Sequence, residues 1–131
     1  MEYNVNCGIS MEIERVVTST DTAVHFGSGE VTVLATPVMI GWMEAAALNA
    51  VKSVLPKGYD TVGTSVNVSH MAATPVGMKV RVVAGVIEVN GRMLTFKVKA
   101  YDEIDKIGEG THGRAIIETA KFLNKVNNKG K

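Results

Sequence analysis

The sequence predicts an α+β fold in which one antiparallel sheet curls around one long central helix. Three observations lead there. Residues 36–55, TPVMIGWMEAAALNAVKSVL, read as a helix that is apolar on nearly all sides. Strand-like segments with period-two alternation follow it, at 61–71, 78–89, 94–100 and 107–119. Short turn signals join these strands, among them Asn90-Gly91, which predicts a type I′ hairpin. A helix without a polar face needs covering, and a twisted antiparallel sheet has a face to offer. One such sheet leaves apolar surface open, so a homodimer is expected.

Each element follows from its residues. In 10–17, Met11, Ile13 and Arg15 share one face of a predicted first strand, and 18–21 carries turn chemistry. Residues 24–26 are too short to assign, and Gly27-Ser28-Gly29 breaks the chain before 31–35 runs into the helix. His25 lies in this approach with no ligand pattern around it and reads as a surface-loop residue. Thr36 is predicted as the helix N-cap, and Pro37 suits the first helical position. The helix stops before Pro56 and Gly58, and 56–60 is a loop. In 61–71 the alternation sets Val62, Thr64, Val66, Val68 and His70 on the face toward the helix, and Ser65, Asn67 and Ser69 on the other. Thr74-Pro75-Val76-Gly77 turns the chain, and Leu94, Phe96, Val98 and Ala100 alternate with Thr95, Lys97 and Lys99. Gly108, Gly110 and Gly113 permit bends or close backbone approach in the last strand. Residues 122–131 read as a basic, solvated tail, frayed from about residue 123. Without repeats or low-complexity segments, 1–131 reads as a single domain with a hotdog-like arrangement.

Composition narrows the function. A net charge of +1 gives no field for nucleic acid or an anionic membrane. The single cysteine, Cys7, excludes an internal disulfide and a zinc cluster, and the scattered histidines suggest no metal site. The N-terminus lacks a signal-type apolar run, and Glu44 and Lys52 interrupt the longest apolar stretch. A cytoplasmic protein without metal or cofactor is expected.

The candidate chemistry lies on the helix and the strand after it. Glu44 stacks at helical spacing with Ile40, Leu48 and Val51, where a carboxylate is costly to bury without partners. Thr36 stands at the helix start and His70 at the end of the strand expected to pack on the helix. Hydroxyl, imidazole and carboxylate are the components of an activated nucleophile. The plain alternative is a capping Thr, a Glu that turns to an edge and a satisfied core His. Gly63, inside a regular strand, is a candidate oxyanion donor through its N–H, or else marks a bulge or a packing constraint.

Three segments, VLATPVMIGWMEAA, TVGTSVNVSHMAATPVG and NGRMLTFKVKAYD-x₄-IGEGTHGRAII, resemble the thioesterase family that includes fluoroacetyl-CoA thioesterase. The resemblance spans about residues 10 to 125. It implies a dimeric hotdog enzyme that hydrolyses a short-chain acyl-CoA thioester to free acid and CoA without metal. It also implies catalytic roles for Thr36, Glu44 and His70, an oxyanion-side role for Gly63 and a CoA contact for Arg114, and leaves the nucleophile open between Thr36, Glu44 and water. One stretch departs from the family: where the fluoroacetyl-specific member has a phenylalanine-lined lid, this chain has Phe26-Gly27-Ser28-Gly29-Glu30. The rival from another class is a non-catalytic acyl-CoA binding module of the same fold. It gains nothing from a buried acid beside a histidine. A hydratase-like enzyme fits the segment from Thr36 to Ala46 poorly.

Overall fold

The computed structural model describes residues 3–131. Five strands form one antiparallel sheet in the order β1-β3-β4-β5-β2, with β1 at Ser10–Val16, β2 at Tyr59–His70, β3 at Lys79–Asn90, β4 at Met93–Tyr101 and β5 at Lys106–Glu118. The long helix, α2, runs over Thr36–Lys52 across the concave face. A short helix, α1 at Ala23–Phe26, precedes it, and α3 at Thr119–Asn127 follows β5. No helix among the described residues is long and apolar enough to cross a membrane.

The core forms where the two periodicities meet. Leu94, Phe96, Val98 and Ala100 of β4 and Val80, Val82, Ala84 and Val86 of β3 point at α2 and are at most 3% exposed. They face Met39, Met43, Ala46, Ala47, Ala50 and Val51 of the helix. The other side of α2 is less covered. Ile40, Glu44 and Leu48 are half-buried and Gly41 is exposed.

The two sheet edges differ. Strand β1 carries Glu12, Glu14 and Arg15, and ion pairs Arg81–Glu12 and Lys79–Glu14 tie it to β3. Charges of this kind discourage pairing with another strand. Strand β2 has no charged residue between Thr61 and Ser69, and Thr64, Ser65, Val66 and Asn67 are exposed.

Four expectations are corrected. The helix ends at Lys52 rather than 55, with Ser53 as C-cap: the Val54 N–H bonds to the Val51 carbonyl, three residues back, so the last turn tightens and the chain leaves the α-helix before Leu55, the residue that Pro56 disfavours there. Its N-cap is Ala35; Thr36 is the first helical residue, so its hydroxyl is not used for capping. Of the two residues between Asn90 and Met93, only Gly91 has positive φ (62°), which fits a II′ turn centred on Gly91-Arg92 rather than the I′ turn read from Asn90-Gly91. The expected frayed tail begins as helix α3, although its side chains from Leu123 onward are exposed.

A fifth correction concerns the faces of β2. The register of β2 against β5 slips between Gly63 and Ser65, leaving Thr64 as the extra residue of a β-bulge. Before the bulge, Thr61 and Gly63 face α2; after it, Val68 and His70 do. Val62, predicted on the helix face, instead lies on the outer face in the groove under α3.

Candidate active site

Thr36 and His70 come together. The strand end carries His70 to the first turn of α2, where Thr36 Oγ1 and His70 Nδ1 are 2.6 Å apart in a hydrogen bond. The other ring nitrogen, Nε2, is buried and has no hydrogen-bond partner among the described residues. Burial lowers the His70 pKa below the usual imidazole value, and the Ala72 backbone offsets part of that. The ring is therefore neutral near pH 7 and able to take a proton.

This pair stands at the mouth of a cavity of about 430 Å³. Thr36, Pro37, His70 and Ala72 form one wall; Ser28, Gly29, Glu30 and Val31 form the opposite rim. The rim is held at its base by α1, whose N-cap Thr22 accepts a hydrogen bond from the His25 N–H. His25 itself does not line the cavity, and Phe26, the one aromatic residue of the segment, is 56% exposed and also lies outside it.

Glu44 is elsewhere. Eight residues along a helix span about 12 Å, so it lies more than two turns from Thr36. Its neighbours belong to a second polar group over Gly63. A Cβ placed on Gly63 would lie 3.0 Å from Glu44 Oε2, 3.3 Å from His112 Cε1 and 3.6 Å from Arg114 Nη1. Gly63 thus floors a small chamber walled by a carboxylate, an imidazole and a guanidinium.

Arg114 is on this inner wall. It is 6% exposed. Its Nε donates to Thr61 Oγ1 (2.8 Å) and its Nη2 to the Thr61 carbonyl (2.9 Å), while Nη1 lies 3.1 Å from His112 Nε2. The strand register explains the placement: Arg114 pairs with Leu94 and Gly63, both on the helix side of the sheet. Burial lowers its pKa, and the carboxylates of Glu44 and Asp60 oppose that fall. Arginine stays charged in such settings.

His112 was missed by sequence reasoning. It is 1% exposed, with its ring tilted against Phe96 and Nδ1 2.7 Å from the Ser65 carbonyl. The signal was available. His112, Arg114 and Ile116 alternate along β5 at positions that all turn out buried, and two of the three are polar.

Comparison with known proteins agrees with this architecture. The fluoroacetyl-CoA-specific thioesterase family matches residues 17–120. A fluoroacetyl-CoA thioesterase from Streptantibioticus cattleyicolor is 45% identical over 97 residues, covering 74% of this chain and 70% of the relative. A solved structure of the fluoroacetyl-CoA thioesterase FlK superposes with a TM-score of 0.91 at 36% identity, covering 98% of this chain and 99% of that one. A thioesterase superfamily member from Thermus thermophilus gives 0.87 at 30% identity, with 94% and 91% covered. A hot-dog-like protein from Thermanaerovibrio acidaminovorans, at 22% identity and a TM-score of 0.88 over 95% and 93%, shares the fold. The sheet curled around α2 is the hotdog fold, and the chain belongs to the fluoroacetyl-CoA-specific thioesterase family, as a thioester hydrolase.

Proposed function

We propose that this thioesterase hydrolyses short-chain acyl-CoA at two sites, each shared between the protomers of a homodimer. One observation carries the reading. Thr36 with His70, and Glu44 with Gly63, are two incomplete halves hung on opposite ends of the uncharged edge strand β2. Seven residues of strand separate Gly63 from His70, about 20 Å. An antiparallel pairing of β2 with its two-fold copy, centred at Asn67, sets Gly63 of one protomer opposite His70 of the partner subunit. It also covers the half-exposed helix side at Ile40, Glu44 and Leu48.

In that arrangement the carboxylate of Glu44 accepts from Nε2 of the partner subunit's His70, the ring atom that has no hydrogen-bond partner among the described residues. His70 Nδ1 then accepts the Thr36 proton, and Thr36 Oγ1 attacks the thioester carbon. The carbonyl oxygen gains the negative charge, stabilised by the Gly63 N–H across the interface. Collapse of that intermediate breaks the C–S bond, and the CoA sulfur leaves with the proton from His70. A water deprotonated by the same imidazole releases the acid and returns the hydrogen to Thr36. The cavity of about 430 Å³ suits a short acyl chain. A pure binding module has no use for a threonine hydroxyl 2.6 Å from an imidazole nitrogen.

Subunit mixing tests the reading. Glu44→Gln and His70→Ala homodimers are each expected to lose about 10²–10⁴-fold in kcat. Unfolded together and refolded, they form heterodimers with one intact site of two, and the mixture recovers about a quarter of parent activity. No recovery, with heterodimers demonstrated by mass, would return the whole site to a single chain. Thr36 acylation during turnover, read by intact mass, checks the nucleophile.

A further inference from the structure

We propose that His112 is a positioning residue for the hydrolysis. By accepting a hydrogen bond from Arg114, it keeps the guanidinium from closing onto Glu44 and leaves that carboxylate free to act. The inference rests on the reading of Glu44 as the carboxylate of the shared site.

The hydrogen bonds fix the protonation of His112 without ambiguity. The Ser65 carbonyl can only accept, so Nδ1 at 2.7 Å carries the proton. Arg114 can only donate, so Nε2 at 3.1 Å is a lone pair. The ring is a neutral spacer with a donor on one side and an acceptor on the other. With Thr61 holding Nε and Nη2, the acceptor of His112 completes a three-point clamp on the guanidinium.

The clamp matters because of what Arg114 would otherwise do. Arg114 Nη1 and Glu44 Oε2 border the same chamber over Gly63, yet no salt bridge joins them among the described residues. A buried guanidinium released from one of its acceptors turns to the nearest carboxylate, with which it pairs strongly at bidentate geometry. Glu44 would then be occupied and unable to accept from His70 of the partner subunit. Held where it is, Arg114 keeps Glu44 in an electropositive environment and still leaves its oxygens available.

The charged groups that face His112 are Glu44 from α2 and Arg114 from its own strand, with Asp60 of β2 acting on Arg114; β4 presents the Phe96 ring. Protonation of His112 would destroy its acceptor and set two cations side by side, opening the clamp. The burial of the ring and the guanidinium beside it both disfavour that protonation, while the Ser65 carbonyl and Glu44 favour it.

Steady-state thiol release from acetyl-CoA, measured against pH on parent, Glu44→Gln, His112→Gln and His112→Leu proteins, tests the proposal, with circular dichroism to verify folding. The Gln amide oxygen replaces the acceptor; Leu removes it. His112→Leu is expected to lower kcat about 10- to 100-fold, with KM changed much less, as for displaced catalytic groups. His112→Gln is expected to recover most of that loss. Its acid limb in kcat should also fall with one proton, from His70 alone, where the parent falls with two. A folded His112→Leu enzyme with parent kcat would overturn the proposal, as would a His112→Gln enzyme as slow as His112→Leu, which is the outcome of a packing role. Where His112→Leu does not fold, a His112→Gln acid limb identical to the parent's overturns it. A Glu44→Gln enzyme with parent turnover removes the shared-site reading itself, and the inference with it.

Discussion

Replacing Gly63 with alanine adds one methyl group at the floor of the chamber. The methyl carbon would lie 3.0 Å from Glu44 Oε2, 3.3 Å from His112 Cε1 and 3.6 Å from Arg114 Nη1. The first contact is closer than a carbon and an oxygen normally approach, so the carboxylate must retreat by a few tenths of an ångström. Glu44 is a side-chain end on a half-buried helix face, and that movement is inexpensive. The Gly63 backbone is not in the left-handed region, so alanine is tolerated there. Alanine also loses less chain entropy than glycine on folding, an advantage of about 0.5–1 kcal/mol. The two effects offset, and the melting temperature should stay within about 4 °C of the parent. Activity should not survive as well. The methyl displaces the carboxylate and crowds the approach to the Gly63 N–H, and loss of one oxyanion donor costs about 10²–10³-fold in kcat. Thiol release from acetyl-CoA and a thermal melt on the same preparation measure both quantities. A kcat within about threefold of the parent would place the reacting carbonyl away from Gly63 and refute the argument.

Three further outcomes follow from the geometry. Because His112 and His70 have folded pKa values below the usual imidazole value, the unfolded chain takes up protons first on acidification; stability is therefore full above about pH 6.5 and falls as pH drops below it. Melting temperatures from pH 8 to pH 5 should show this decline, and His112→Gln should flatten it. Arg114→Ala should act through kcat and stability more than through KM for CoA esters, since it strands the Thr61 carbonyl and His112 Nε2; each buried acceptor left without its donor costs about 1–3 kcal/mol. A rise in KM alone, with an unchanged melt, would refute this and assign Arg114 to a CoA contact. Finally, the cavity rim of Ser28, Gly29, Glu30 and Val31 has no aromatic side chain, so fluoroacetyl-CoA and acetyl-CoA should differ by less than about a thousandfold in kcat/KM. A larger preference would locate the selectivity away from the rim.

Much of the fold is legible in the sequence because it follows from repeating patterns. The alternation of Leu94, Phe96, Val98 and Ala100 persists through β4, and all four are at most 1% exposed. The apolar girth of α2 similarly requires a sheet around it. Candidates for the proposed site stand out as well, since a glutamate on an apolar stripe and a histidine at a strand end are each anomalous where they stand. What periodicity does not carry is the geometry between them. It also passes over His112 and Arg114, because polar residues on the inward face of β5 become intelligible only once the register places them opposite Phe96, Leu94 and Gly63.

The bulge at Thr64 decides how the pieces can meet. Gly63 and His70 are seven residues apart, an odd number, and in a regular strand they would face opposite sides of the sheet. One extra residue restores them to the same side. Without it, a chamber over Gly63 would open on the outer face, and no symmetric pairing of β2 could bring it to the partner subunit's His70. Strict alternation assigns Val62 to the helix face, and that same slip removes it. A shared site therefore needs two things that amphipathic patterns do not encode: a local irregularity that reverses the strand's faces midway, and an uncharged edge at which a second copy can pair. The sequence contains both, as Gly63-Thr64 and as the charge-free run from Thr61 to Ser69, but each acquires its meaning only from the other.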